Sequence, residues 1–181
     1  MGAWLSFIFA LIFLFISSYK SLEKRRSILV ISAILIIPVL TFIIVNRWER
    51  LMDLGNPQNS ITERLNYWRT AIAIIKDHPI IGVGPGNFQE VFLKYKMGLS
   101  TNTRYAHNIF LHFWSEIGLL GLMGIFYLVI NFFRRCKAQP KYRFIFLGGL
   151  TFILHNLIDN SYFIPEAGMF WWILLGLTLE D

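Results

Sequence analysis

Charge is what this chain has least of. Only 15% of its 181 residues are charged and 55% are hydrophobic, whereas a soluble domain of this size carries about a quarter charged residues. That shortfall argues against a water-soluble globule. Cysteine is nearly missing too: Cys136 is the only one, so no intrachain disulfide can form and the redox compartment is not encoded. The first apolar stretch lacks a basic segment before it and a small-residue cleavage site after it. This excludes a cleaved signal peptide and leaves Met1–Tyr19 as a span. Internal repeats and low-complexity tracts are also lacking.

What the chain does have is apolar residues in blocks. Gly2–Tyr19 and Ile28–Val45 hold no charged residue, and each is about as long as the ~20 residues that cross a bilayer core. Ile117–Phe133 is a third such block, and the shorter Phe144–Ile158 and Ala167–Leu179 follow it. The expected fold is all-α: a polytopic transmembrane helical bundle of four or five spans with a large external loop.

The net charge of +6 invites a nucleic-acid reading, but every Lys and Arg falls in one of three connecting segments. Lys20–Ser27 holds four basic residues and one acid, and Arg134–Arg143 holds five and none. Both are short, so the positive-inside rule places them in the cytoplasm. The chain then divides into two N-terminal spans at 1–45, an external loop at 46–108 and C-terminal spans at 109–181. No nucleic-acid partner is expected, and His107 falls on the outer face.

Two amphipathic helices are expected in that loop. Ser60 and Glu63 have capping-box spacing after the turn-rich "GNPQN". Leu65, Trp68, Ile72 and Ile75 then recur at helical spacing, predicting a helix over Thr62–Lys76 that ends before His78–Pro79. A second cap pair, Asn87 and Glu90, opens a helix with Phe88, Val91, Phe92 and Tyr95 on its apolar side. Between them, "HPIIGVGPGNF" is glycine-rich. Gly82, Gly84 and Gly86 lack the Lys-Ser/Thr that a P-loop requires, so a structural turn is the better reading than a phosphate cradle. Gly118, Gly121 and Gly124 suit close helix packing.

An outward-facing site restricts the chemistry, because nucleotide donors stay in the cytoplasm. Transfer on the outer face needs a substrate already carried across, which in bacteria usually means a polyprenyl diphosphate-linked sugar. Such a donor needs cations at its diphosphate and a base for the acceptor hydroxyl. Arg64, Arg69, Lys94, Lys96 and Arg104 are the candidate cations, with Arg favoured for its bidentate fork. His107, with an ordinary pKa of ~6.5, is the candidate base. Each has a plainer alternative: loop cations sit in solvent or at headgroups, and His107 can be a residue of a helix N-terminus. His112 and Glu116 are four apart and can pair. His107 and His112, five apart, point in different directions, which argues against a metal site; no metal or other cofactor is expected. His155 and Asp159 are four apart at the outer end of the fourth block, beside Asn156 and Asn160. Ionisable residues at membrane depth are functional candidates, less so near the interface.

His107–Asn108, nine residues, then Gly118-Leu-Leu-Gly121 resembles the H[NSQ]-x9-G-x-x-G signature of the O-antigen ligase and polymerase-related membrane glycosyltransferases. The upstream "ERLNYWRTAIAIIKDHPIIGVGPGNF" is similar to that family's external loop, where an Arg, a Trp and a Pro/Gly stretch precede the histidine. The resemblance covers roughly Thr62 to Leu128. It implies metal-independent transfer of a lipid-linked glycan to a lipid- or glycan-bound sugar acceptor at the outer face of a bacterial inner membrane. By position it implies His107 as base, Arg64 as the loop arginine and Asn108 as the second signature residue; Arg69 is assigned from charge alone. Because the family usually has about a dozen spans, the resemblance further implies a C-terminal portion, with the remaining spans supplied by a separate chain as one arrangement. Ligase and polymerase differ in acceptor and are not separated by these motifs. The rival reading is a truncated, non-catalytic membrane subunit that binds lipid-linked glycan among membrane lipids.

Overall fold

The computed structural model describes residues 6, 8–10, 12–13, 22–53, 56, 59–97 and 101–179. Most of the first expected span, Gly2–Tyr19, lies outside them. Among the described residues the chain is helical with no strand. The helices are α1 (Leu22–Met52), α2 (Ser60–Asp77), α3 (Phe88–Tyr95), α4 (Ile109–Ala138), α5 (Arg143–Asn156) and α6 (Pro165–Leu177), with short 3-10 turns at Pro140–Tyr142 and Ser161–Phe163. The apolar block Ile28–Val45 lies inside α1, with Pro38 in its interior.

Only α4, among the described residues, is long and apolar enough to cross a membrane. The 14 residues of α5 and 13 of α6 give about 20 Å of helix each, less than the ~30 Å of a bilayer core.

The loop helices form, with shifted details. α2 is capped by Asn59, whose side chain accepts a hydrogen bond from Ile61 N, and Ser60 is the first helical residue rather than the cap. Asn and Ser are equally good caps, so spacing alone could not choose between them. The buried face of α2 is Tyr67, Thr70, Ala71, Ile74 and Ile75, while Leu65 and Ile72 are exposed. Small Thr70 and Ala71 leave room for a neighbour. Phe88 and Phe92 of α3 share a core with Tyr67, Ala71, Ile74 and Ala106. Asn87 stands at the start of α3 but makes no side-chain cap; its amide donates to Val83 O instead. The cap comes from elsewhere in the chain, because the Glu116 carboxylate accepts from Phe88 N at 3.1 Å.

The loop is locked to α4 where α4 breaks. Gly118 has φ 65 and ψ −172, conformationally outside any helix, and in a region that favours glycine. The break exposes backbone groups on both sides, and the glycine-rich turn satisfies them. Val83 N and Gly84 N donate to Ser115 O and Glu116 O, while Leu119 N and Leu120 N donate to Pro79 O and Ile80 O. The Trp114 indole N–H also donates to Pro79 O, at 3.0 Å. A Cβ on Gly82 would fall 2.5 Å from the Glu116 carbonyl, and one on Gly118 would strike Ile80. The two glycine motifs are therefore the two halves of one joint. At the opposite end of α4, Phe132 and Cys136 pack with Tyr142, Trp171, Leu174 and Leu175 in a second core.

Candidate active site at the N-terminal end of the fourth helix

His107 is not helical. It has φ 52, a left-handed conformation that is uncommon for a residue with a side chain and that costs about 1–3 kcal/mol unless its surroundings impose it. Here they do. The Trp68 indole N–H donates to His107 O at 3.3 Å, and Tyr67 stacks on the imidazole with ring centres 5.5 Å apart. Next along the chain, Asn108 caps α4: its Oδ1 accepts from Phe110 N and Leu111 N, and its Nδ2 donates to Leu157 O at 2.9 Å. Both ends of the Asn108 amide are thus engaged with backbone.

That last bond draws the α5–α6 turn to the site. Buried Asn156 shapes the turn by accepting from Tyr162 N at 2.7 Å, and Phe163 stacks on Tyr105. Asp159 consequently sits among three cationic or titratable groups. His107 Nδ1 is 3.8 Å from its Oδ1, and Arg64 Nη2 and His155 Nε2 are 3.9 and 3.7 Å from its Oδ2. These separations exceed direct hydrogen bonds. Arg64 Nε, His107 Nδ1 and His155 Nδ1 are buried polar atoms without a hydrogen-bond partner among the described residues. Burial pushes the His107 pKa down; the Arg64 charge adds to this, and Asp159 and Glu63 oppose it. The neutral imidazole is favoured, with a lone pair to accept a proton.

Of the other expected cations, Arg69 is exposed and donates to Asn66 at 3.4 Å, Lys96 reaches Asn102 at 3.2 Å, and Arg104 reaches Gln89 at 3.2 Å. Lys94 is exposed on α3. Only Arg64 approaches His107 and Asp159. The expected His112–Glu116 pair forms at 3.5 Å, and it is architectural. His112 Nδ1 accepts from Ala106 N, while Glu116 caps α3.

Asp159 and His155 are the residues the sequence reading noticed without assigning. Their i, i+4 spacing at the end of an apolar block was the available signal. Tyr67 carried no such signal, since a tyrosine on an amphipathic helix reads as core. Beside His155, an apolar groove of about 390 Å³ runs along Phe144, Leu147, Phe152 and Phe170.

Among the described residues every element is helical, one helix is long and apolar enough to cross a membrane, and a pinned histidine stands just before it against a folded loop. Residues 1–126 match the family model described as O-antigen ligase, and the chain belongs to that family. Membership makes it an O-antigen ligase- or polymerase-like membrane enzyme by class. Neither the curated proteins nor the solved structures contain a match. His155 and Asp159 lie beyond the matched residues, so their place in the site rests on geometry.

Proposed function

We propose that this chain carries the catalytic histidine of a glycan transfer at the outer face of a bacterial inner membrane, with a polyprenyl diphosphate-linked glycan as donor and a sugar hydroxyl as acceptor. The observation that carries the reading is the convergence of His107, Arg64 and Asp159 from three separate parts of the chain. His107 takes the proton from the acceptor hydroxyl as its oxygen bonds to the anomeric carbon of the donor. The bond from that carbon to the diphosphate breaks, and the electron pair leaves with the carrier diphosphate. Arg64 faces that developing charge, and Asp159 orients His107 and steadies its protonated form.

The groove ending at His155 suits a prenyl chain whose diphosphate lies near Arg64. Arg69, Lys94, Lys96 and Arg104 serve as headgroup or glycan contacts outside the reacting centre. Asn108 serves by holding His107 in place. In this reading the block Gly2–Tyr19 together with α1, α4, α5 and α6 makes up the four- or five-span bundle, the shorter helices with help from flanking turns. Spans on a second chain would complete the bundle.

The test is complementation of a ligase- or polymerase-deficient strain, scoring surface glycan. His107→Ala should abolish any restoration while insertion stays intact; normal glycan in that variant would overturn the mechanism. Binding of lipid-linked glycan without turnover by the unaltered chain would instead identify a glycan-binding subunit.

A further inference from the structure

Ile80 and Ile81 project from the external loop and are 57% and 77% exposed, although the turn that carries them is pinned to α4 by the four backbone bonds described above. Large aliphatic side chains at the tip of an aqueous loop would be out of place. Their neighbours across the joint explain them. Leu119, Leu120, Met123 and Tyr127 form one exposed side of α4, and the turn carrying Ile80 and Ile81 is bonded to its first two residues.

Helix length gives the depth. Leu119 to Phe133, the last residue before Arg134, is 15 residues, or about 22 Å of helix. A bilayer hydrocarbon core is ~30 Å, so this stretch alone is too short to cross it. Leu119 then lies roughly 8 Å inside the outer boundary when the helix stands upright, and deeper when it tilts. Pro79 O and Ile80 O bond Leu119 N and Leu120 N, which places the turn at the same level.

We propose that the turn from Pro79 to Gly82 is a membrane-inserted wedge, with Ile80 and Ile81 in contact with lipid acyl chains of the outer leaflet. Non-helical backbone at that depth is tolerated only where its polar groups are satisfied by protein. The break at Gly118 supplies donors for Pro79 O and Ile80 O, and Gly82 N donates to His78 O. The wedge also fixes the height of α2, and so of Arg64, against the bilayer. The inference needs α4 to be a span and does not depend on the transfer reaction.

The test uses the full chain with Cys136→Ala, reconstituted in phosphatidylcholine liposomes and carrying an environment-sensitive NBD label at Ile81→Cys. Met123→Cys on α4 is the lipid reference, and Glu90→Cys, exposed on α3, is the water reference. Blue-shifted emission at Ile81, quenched by bilayer-doped nitroxide lipids as strongly as at Met123, is the expected result. Emission and quenching like those at Glu90 would overturn the proposal. So would blue-shifted emission without lipid quenching, which would mean that protein covers the turn. Ile80→Cys repeats the measurement at a second position, so failure of one labelled variant leaves the answer intact.

Discussion

In the proposed mechanism His107 carries two conflicting demands, and the residues around it meet both. As a base it must stay neutral, which burial and Arg64 favour; as an acceptor of a proton it must tolerate positive charge, which Asp159 and Glu63 favour. Activity should therefore fall as pH drops through the lowered His107 pKa, with the acid limb below the ordinary imidazole range. Asp159→Asn removes a charge that raises this pKa, so the acid limb should move to still lower pH. The plateau rate should also drop, by less than the roughly 10²–10⁴-fold that a positioned base supplies in all. The pH–rate profile of the variant checks both. A limb moving upward, or not at all, would remove Asp159 from the electrostatics of the site. The left-handed backbone at His107 belongs to the same picture: between Trp68 and Asn108, which pin it, the imidazole stacks on Tyr67 and faces Asp159.

At the scale of elements, the joint between the glycine-rich turn and the break in α4 decides where α2 and α3 stand. Substitution with alanine should separate the glycines by role. Gly82→Ala and Gly118→Ala place a Cβ against backbone at positive φ and should each destabilise the protein by about 1–3 kcal/mol or more. Gly124, with nothing within 4 Å of a built Cβ, should accept alanine without loss. Thermal unfolding in mild detergent reads the difference. Equal effects at all three positions would mean that the joint is not what the glycines serve. The same joint explains why α3 needs no local cap: Glu116, fixed by the break and by His112, reaches Phe88 N from another helix.

For the whole molecule, charge distribution sets orientation. Nine of the 17 basic residues lie in the two short segments Lys20–Ser27 and Arg134–Arg143 (four and five), so both should be cytoplasmic and His107 external. A membrane-impermeant maleimide should label Asn102→Cys in cells with a permeable outer envelope, and Lys137→Cys only after the inner membrane is opened. The reverse pattern would put the histidine on the wrong side for a carrier-linked donor. An external His107 is what the proposed donor requires, with its prenyl chain in lipid and its glycan in water.

Composition and periodicity determined that the described chain is helical and that it is built around apolar blocks, because these follow from local spacing. The likeness to the O-antigen ligase family rests on a motif contiguous in sequence, and the family match agrees with it. The same reading singled out His107 and Arg64 as candidates. Which face of α2 is buried was not decided there, since that helix carries two apolar stripes and only the fit of Phe88 and Phe92 against Tyr67, Ala71 and Ile74 chooses between them. Nor could a one-dimensional pattern reveal that Gly82 and Gly118 meet, that Glu116 caps a distant helix, or that Asp159 reaches His107 across 52 residues. Those contacts depend on where a helix breaks and on which backbone groups the break leaves to be satisfied. Only the tertiary structure supplies the partners.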